Sequence, residues 1–371
     1  MQPLRILQIS YDMNLGGAET LVMNIYRNID RSKVQFDFLL HSPERSAYED
    51  EIEALGGRIH RIPRFLGYNR IPYDKALGGF LKAHPEYTII HDHLMDSASE
   101  TFRVAKRLGR TTIAHSHIAD VPKSLGEFIR GFFRKDLWRR SDYRFACSEA
   151  AGLWLYRGKA DFTVLRNGIE TDRYRFDQAT RARVRQAFNA AGATRLYGTI
   201  GRLEPQKNQS RLLDIFKAVL DRAPDSILVL IGTGSLEAEL KGKAKTLGID
   251  RKVIFTGPRR DVNDILMGLD AFILPSLYEG LGIVLVEAQA SGLPCIYTDT
   301  IPQDVDLVPA LLNRTSLEES DGAWAERIIN ARSEATERDI CFREVAEKGY
   351  DIRATAAQLQ DFYLNLQRLN Q

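Results

Sequence analysis

Residues 1–29 read MQPLRILQISYDMNLGGAETLVMNIYRNI, and the order of residue types in this stretch decides the fold. The run Ile6-Leu7-Gln8-Ile9 is too short in apolar residues for a signal peptide and reads as a strand. A polar loop from Asp12 to Gly17 follows it. Beyond the loop, Leu21, Val22, Ile25, Tyr26 and Ile29 recur at helical spacing and share one face. Strand, loop and helix in this order form the unit from which covered parallel sheets are built.

The same alternation continues outward. Further strands are expected near Phe36, Arg58, Thr88, Thr111, Tyr143 and Phe162, with helical stretches between them. Seven strands separated by helices imply a parallel sheet covered on both faces. Residues 168–196 are polar and charged, show no clear strand, and read as a crossing between domains. The alternation restarts with a strand over Tyr197–Ile200, a helix after Asn208 and a strand over Ile227–Ile231. Strands near Val253, Ala271 and Cys295 complete it. Residues 352–370 form one long amphipathic helix. The expected fold class is α/β: two Rossmann-like, doubly wound domains facing across a cleft. The first domain is expected over 1–180 and the second over 190–350, with 351–371 packing back towards the first.

Composition agrees and excludes several function classes. The chain has 371 residues, 44% hydrophobic and 27% charged, which rules out disordered, collagenous and coiled-coil classes. That length exceeds what one hydrophobic core usually serves. Lys and Arg total 51 against 49 Asp and Glu, a net charge of +2, so the basic excess of a nucleic-acid binder is missing. Cys147, Cys295 and Cys341 lie far apart and form no CxxC, which favours reduced thiols and a cytoplasmic setting. No apolar run approaches the roughly 18 residues that span a bilayer.

In open parallel sheets, ligands sit beyond the carboxyl ends of the strands, and the distinctive residues of this chain follow strands. Gly16-Gly17 lets backbone approach an anion at a helix start, although a glycine pair alone usually marks an ordinary turn. There is no GxGxxG. The nearest candidate, Gly232-Thr233-Gly234, has Glu237 where the third glycine belongs. In Gly201-Arg202-Leu203-Glu204-Pro205-Gln206-Lys207-Asn208, the two cations suit a diphosphate and Asn208 suits an N-cap. Isolated surface cations are the plainer reading, and the position at a strand's carboxyl edge argues against it. Glu279 and Glu287 flank Gly280-Leu281-Gly282 and Ile283, a turn expected to open a helix. At helical rise, eight residues separate the carboxylates by up to ~12 Å. That is too far for a shared proton or for a retaining glycosidase pair. It suits one carboxylate at each end of an extended ligand.

Four histidines fall in two HxH pairs, His91/His93 and His115/His117, each at a strand end. Alternate strand residues share a face, so each pair has the spacing of a metal chelate. The preferred reading is one functional imidazole per pair and no metal, because a metal leaves Arg202, Lys207 and the glutamates without a role. Residues 123–140 (KSLGEFIRGFFRKDLWRR) carry six cations and the stripe Leu125, Phe128, Ile129, Phe132, Phe133 and Leu137, with Trp138 beside it. A membrane-interface helix and a core-facing helix with a basic rim fit equally well.

Taken together, these motifs resemble the retaining glycosyltransferases of family 4, which have the GT-B fold, over nearly the whole chain. The E-x7-E run from Pro275 to Pro294 is the most specific, and Gly16-Gly17, residues 201–208 and Asn167-Gly168-Ile169 agree in order and spacing. GGAET, AHSH and VEAQASGLPC are similar to the branch that assembles capsular, exopolysaccharide or O-antigen repeat units. Gly282 stands where that branch often has proline, and Glu170 where aspartate is common. The resemblance implies a nucleotide-sugar donor, UDP by default, and a saccharide or polyprenyl-linked saccharide acceptor. It further implies no metal or other cofactor, and peripheral membrane contact through 123–140. Gly16, Gly17, Arg202 and Lys207 would meet the donor diphosphate, with Gly232 and the turn Gly280–Ile283 also at the donor. Glu287 would bind ribose, Glu279 would address the transferred sugar, and Arg259 would lie near the base. The functional histidine of the family fits His117 better than His115. Two other readings remain at this point: a metal-dependent hydrolase built on the HxH pairs, and a sugar-nucleotide epimerase or binding protein.

Overall fold

A computed structural model describes residues 2–14, 16–117, 131, 134–332 and 335–369. The chain divides into two compact units, Met1–Gly168 with Ile352–Gln371, and Ile169–Asp351.

The first unit is built on a seven-stranded sheet in the order β3-β2-β1-β4-β5-β6-β7, with every neighbouring pair parallel. The strands are β1 (Leu4–Ser10), β2 (Val34–Leu40), β3 (Ile59–Arg61), β4 (Ile89–Asp92), β5 (Thr111–Ser116), β6 (Tyr143–Ala146) and β7 (Thr163–Val164). Side chains alternate along β1. Ile6 enters one core cluster with Phe36, Phe38 and Tyr26, while Leu7 and Ile9 enter a second one with Leu77 and Leu81. Both faces of the sheet are therefore covered, as a parallel sheet requires. The helix Ile352–Leu369 joins this unit through Ile352, Ala356, Leu359, Tyr363 and Leu366, all buried in the cluster of Ile6.

The second unit carries a six-stranded sheet in the order β10-β9-β8-β11-β12-β13, again parallel throughout. Its strands are β8 (Arg195–Ile200), β9 (Ser226–Ile231), β10 (Val253–Phe255), β11 (Ala271–Leu274), β12 (Cys295–Thr298) and β13 (Leu312–Thr315). The last is an edge strand whose sequence, LNRT, has no apolar run, and it went unforeseen for that reason. Leu212, Phe216, Leu228, Leu230 and Trp324 fill the core.

The first unit ends at Gly168 rather than near 180, because residues 171–187 pack against helices of the second unit. Arg181 of the helix Gln178–Ala187 donates to the carbonyls of Met267, Gly268 and Leu269. Gly168 has a steric reason to be glycine. A Cβ there would stand 2.6 Å from the Cα of Ile352, where the returning chain passes. Just beyond, Ile169 N–H donates to the Tyr350 carbonyl at 2.8 Å.

In each sheet the strand order reverses between two neighbours, β1 and β4 in the first and β8 and β11 in the second. The loops leaving those strands at their carboxyl ends form the crevice where such folds bind ligands. The motifs singled out in sequence sit on these loops.

Candidate functional site

In the second unit, the loops leaving β8 and β11 are stitched together. Gln206 Nε2 donates to the Tyr278 carbonyl at 2.9 Å, and Leu277 N–H donates to the Gln206 carbonyl at 2.8 Å. Asn208 stands before the helix Gln209–Leu220 but does not cap it through its side chain. It adopts a left-handed conformation, φ 54°, which asparagine tolerates. Its amide donates to the Pro275 carbonyl at 3.1 Å instead.

This stitching brings together two residues 72 positions apart. The Lys207 ammonium lies 2.6 Å from Glu279 Oε1, with side-chain exposures of only 14% and 7%. The Ser276 hydroxyl donates to the same oxygen at 2.6 Å. An ammonium has three donors, so Lys207 can hold Glu279 and still offer N–H groups to an anion. Arg202, on the same loop, is exposed. Ser276 was not foreseen; its only sequence signal is its place three residues before Glu279.

The turn after Glu279 opens the helix Ile283–Ala290. Its N-cap, Gly282, has φ 84° and no side chain to cap with, so first-turn N–H groups remain for an anion. Proline, fixed near φ −65°, cannot take this conformation. In the second turn, Glu287 Oε1 accepts from the Tyr174 hydroxyl at 2.8 Å. Burial pushes the Glu287 carboxyl up to about 7, while Tyr174 and Arg173 pull in the opposite direction. Burial, then the neighbouring Glu287, also hold the Tyr174 hydroxyl well above its ordinary value. Tyr174 lies in the polar crossing segment, where nothing in sequence marked it.

Gly232 is required by packing: its φ is 132°, and a Cβ would lie 2.1 Å from the Gly201 carbonyl oxygen. Gly234 is similar, since its Cβ would meet the Leu203 carbonyl at 2.3 Å. These glycines press the loop after β9 onto the loop after β8. Arg259, beyond β10, is half-exposed and paired with Asp261 at 2.5 Å. The structure does not bring it to Lys207, Glu279 or Glu287.

In the first unit, Gly16 precedes the helix Gly17–Asn28 and provides no side-chain cap. The Glu19 carboxylate folds over it: a Cβ on Gly16 would stand 2.1 Å from Glu19 Oε2, whereas Gly17 opens onto free space. The helix start thus holds an anionic group of its own.

The two HxH pairs come together at the ends of β4 and β5. His93 Nδ1 lies 2.9 Å from His117 Nε2, and His93 Nε2 lies 2.9 Å from Gln8 Oε1. His91 Nδ1 lies 2.6 Å from the Tyr363 hydroxyl. His115 is 2% exposed, and neither of its ring nitrogens has a hydrogen-bond partner among the described residues. Burial lowers all four imidazoles, His91 to about 3 and His117 to about 4. Three of these imidazoles stand close enough to share a metal ion: one nitrogen each of His91, His93 and His115 lie within 4.8 Å of one another. The rings are also stacked, with centroids of His91 and His93 4.6 Å apart and of His115 and His117 4.1 Å apart. Both nitrogens of His93 are already engaged.

Residues 123–130, 132 and 133, the greater part of the basic aromatic stretch, lie outside the described residues. Among the described residues, no helix is long and apolar enough to cross a membrane.

The chain is similar to known proteins along nearly its whole length. The profile described as Glycosyltransferase Family 4 matches residues 15–173, and that described as Glycosyl transferases group 1 matches residues 180–344. EpsF of Bacillus subtilis, named as a glycosyltransferase, is 32% identical over 97% of this chain and 96% of its own. The Escherichia coli UDP-Gal:alpha-D-GlcNAc-diphosphoundecaprenol alpha-1,3-galactosyltransferase is 29% identical over 46% of each chain. Among solved structures, Anabaena Alr3699/HepE in complex with UDP superposes with a TM-score of 0.80 at 18% identity, covering 97% of this chain and all of that one. These likenesses leave no place for the hydrolase reading. The chain belongs to the family 4 glycosyltransferases, with the two Rossmann-like sheets of the GT-B fold, and is a glycosyltransferase.

Proposed function

We propose that this enzyme moves a sugar from a UDP-sugar to a saccharide or lipid-linked saccharide acceptor in surface-polysaccharide assembly, with retention at the anomeric carbon and without a metal. The observation that carries the reading is the cluster Lys207–Glu279–Ser276, set beside the open helix start at Gly282.

The chemistry follows from charge. When the C1–O bond of the donor breaks, its electron pair goes to the diphosphate and positive charge develops on the sugar. Lys207, Arg202 and the first-turn N–H groups suit the leaving diphosphate, and pre-oriented donors of this kind supply most of the stabilisation in such sites. Glu279 suits the sugar, where its carboxylate favours the developing cation. Glu287 suits the ribose hydroxyls. In the first unit, Gly16 and Gly17 remain the expected contribution to the diphosphate. The acceptor hydroxyl attacks from the leaving-group face and gives its proton to a phosphate oxygen. The UDP held by HepE and the lipid-linked substrate of the E. coli relative support this choice of donor and acceptor.

A lipid-linked acceptor calls for peripheral contact with the cytoplasmic face of a membrane. Residues 123–140 are the expected contact, and a second candidate lies at Leu66, Tyr68 and Ile71, which are 52%, 86% and 82% exposed with the exposed Arg64 beside them. Changing the three apolar residues to serine should weaken binding to anionic liposomes and leave donor affinity intact. Equal binding by both proteins would reject this surface.

The test of the reaction is a thermal-shift screen of nucleotide-sugars, because a bound donor stabilises the fold. Transfer from the best donor follows, with the anomeric configuration of the product read by NMR. The product should keep the configuration of the donor. An inverted product, or stabilisation by no UDP-sugar, contradicts the proposal.

A further inference from the structure

Gln8 is a polar residue between the apolar Leu7 and Ile9 of β1, only 2% exposed, and a buried amide must find partners. It finds two. Its Oε1 faces His93 Nε2 at 2.9 Å, and its Nε2 donates to the Tyr363 hydroxyl at 3.3 Å. The result is one continuous hydrogen-bond chain, running from His117 through His93, Gln8 and Tyr363 to His91.

Each link dictates the proton of the next. An amide oxygen only accepts, so His93 carries its proton on Nε2 and its Nδ1 is an acceptor. His117 Nε2 must then be the donor to His93, which leaves His117 Nδ1 with its lone pair and no partner among the described residues. At the other end, Tyr363 accepts from Gln8, donates to His91 Nδ1, and thereby places the His91 proton on Nε2. Turning the Gln8 amide over would reverse every bond and move all three imidazoles to the Nδ1–H form. The orientation of one amide thus sets three tautomers at once. His115 is not a link in this chain.

We propose that Gln8 is a positioning residue, anchored by Tyr363 on the C-terminal helix, that fixes His117 as the Nε2–H tautomer with Nδ1 as a hydrogen-bond acceptor. Resting on the transferase reading, that nitrogen receives a hydroxyl of the saccharide substrates, and His117 rather than His115 is the functional histidine. The position of Gln8, two strands from His117, is what makes the effect indirect. In the order β1-β4-β5, His93 on the β4 side is the relay between them among the described residues.

The test is long-range 1H–15N NMR of protein labelled at histidine, assigned with single His→Asn variants, near neutral pH. In the wild type, His91, His93 and His117 should all be Nε2–H tautomers. Gln8→Leu should turn His93 and His117 into tautomer mixtures and lower kcat roughly 10-fold, about the worth of one hydrogen bond. The donor KM should stay within about twofold, because His117 does not hold the nucleotide in this reading. Gln8→Glu keeps an acceptor oxygen towards His93 and should restore the Nε2–H form of His117. An Nδ1–H His117 in the wild type overturns the proposal, as does a His117 tautomer indifferent to Gln8→Leu. A tautomer change without a change in kcat also overturns it. The tautomer measurement needs no substrate, so it decides on the chain even where the donor assay fails.

Discussion

Glu287 carries a cost that pH should reveal. Burial raises its carboxyl from the ordinary 4.5 to about 7. At about 1.4 kcal/mol for each tenfold change in proton affinity, that rise corresponds to ~3 kcal/mol. The folded protein holds this proton more tightly than the unfolded chain does. Below about pH 4.5 the group is neutral in both states and costs nothing. Between there and about 7, stability falls as the pH rises, and above about 7 the whole cost is present. Glu287→Gln removes the titration while keeping an oxygen to accept from Tyr174. Relative to wild type, the variant should therefore gain ~2.5 kcal/mol of stability between pH 5 and pH 8. Urea denaturation of both proteins at several pH values measures this difference. Ribose hydroxyls donating to the carboxylate favour its ionised form, so saturating donor should lower the pH at which the gap between the two curves stops growing and make that gap smaller. Stability curves that stay parallel from pH 5 to pH 8 would refute the reasoning.

Two further outcomes are expected. Gly234→Ala forces a Cβ against the Leu203 backbone and should destabilise by more than ~2 kcal/mol, whereas Gly242→Ala, with nothing within 4 Å of its Cβ, should stabilise by about 0.5–1 kcal/mol; chemical denaturation of both separates steric need from helix propensity. Transfer should survive EDTA, because Lys207 and Arg202 take the place of a cation; loss of activity restored by magnesium or manganese contradicts this.

Much of the fold was legible because parallel strands buried on both faces announce themselves as apolar runs, as Ile6–Ile9 and Ile227–Ile231 do. The edge strand Leu312–Thr315 is half-buried and polar, so no run marks it. The unit boundary was misplaced because helix Gln178–Ala187 is rich in arginine and reads as linker. Arg181 and Arg185 are in fact occupied in pairing with the buried Asp270. In the candidate site, the residue types at Lys207, Glu279 and Glu287 were readable from motif spacing. Their partners were not. Lys207–Glu279 spans 72 positions and Gln8–Tyr363 spans 355, and only the folded sheet makes such residues neighbours. Asn208 shows the converse: a good capping residue by type, it was taken up by the Pro275 carbonyl instead.

The division of labour between the two glutamates is the central claim, and steady-state kinetics of Glu279→Gln and Glu287→Gln with the identified donor test it most directly. A contact to ribose is alike in ground and transition states, so Glu287→Gln should raise the donor KM and leave kcat nearly intact. Glu279 acts where the bond breaks, so Glu279→Gln should lower kcat by roughly 10²-fold or more with a smaller effect on KM. If Glu279→Gln changes KM alone, or Glu287→Gln abolishes kcat alone, the assignment of the two carboxylates is wrong.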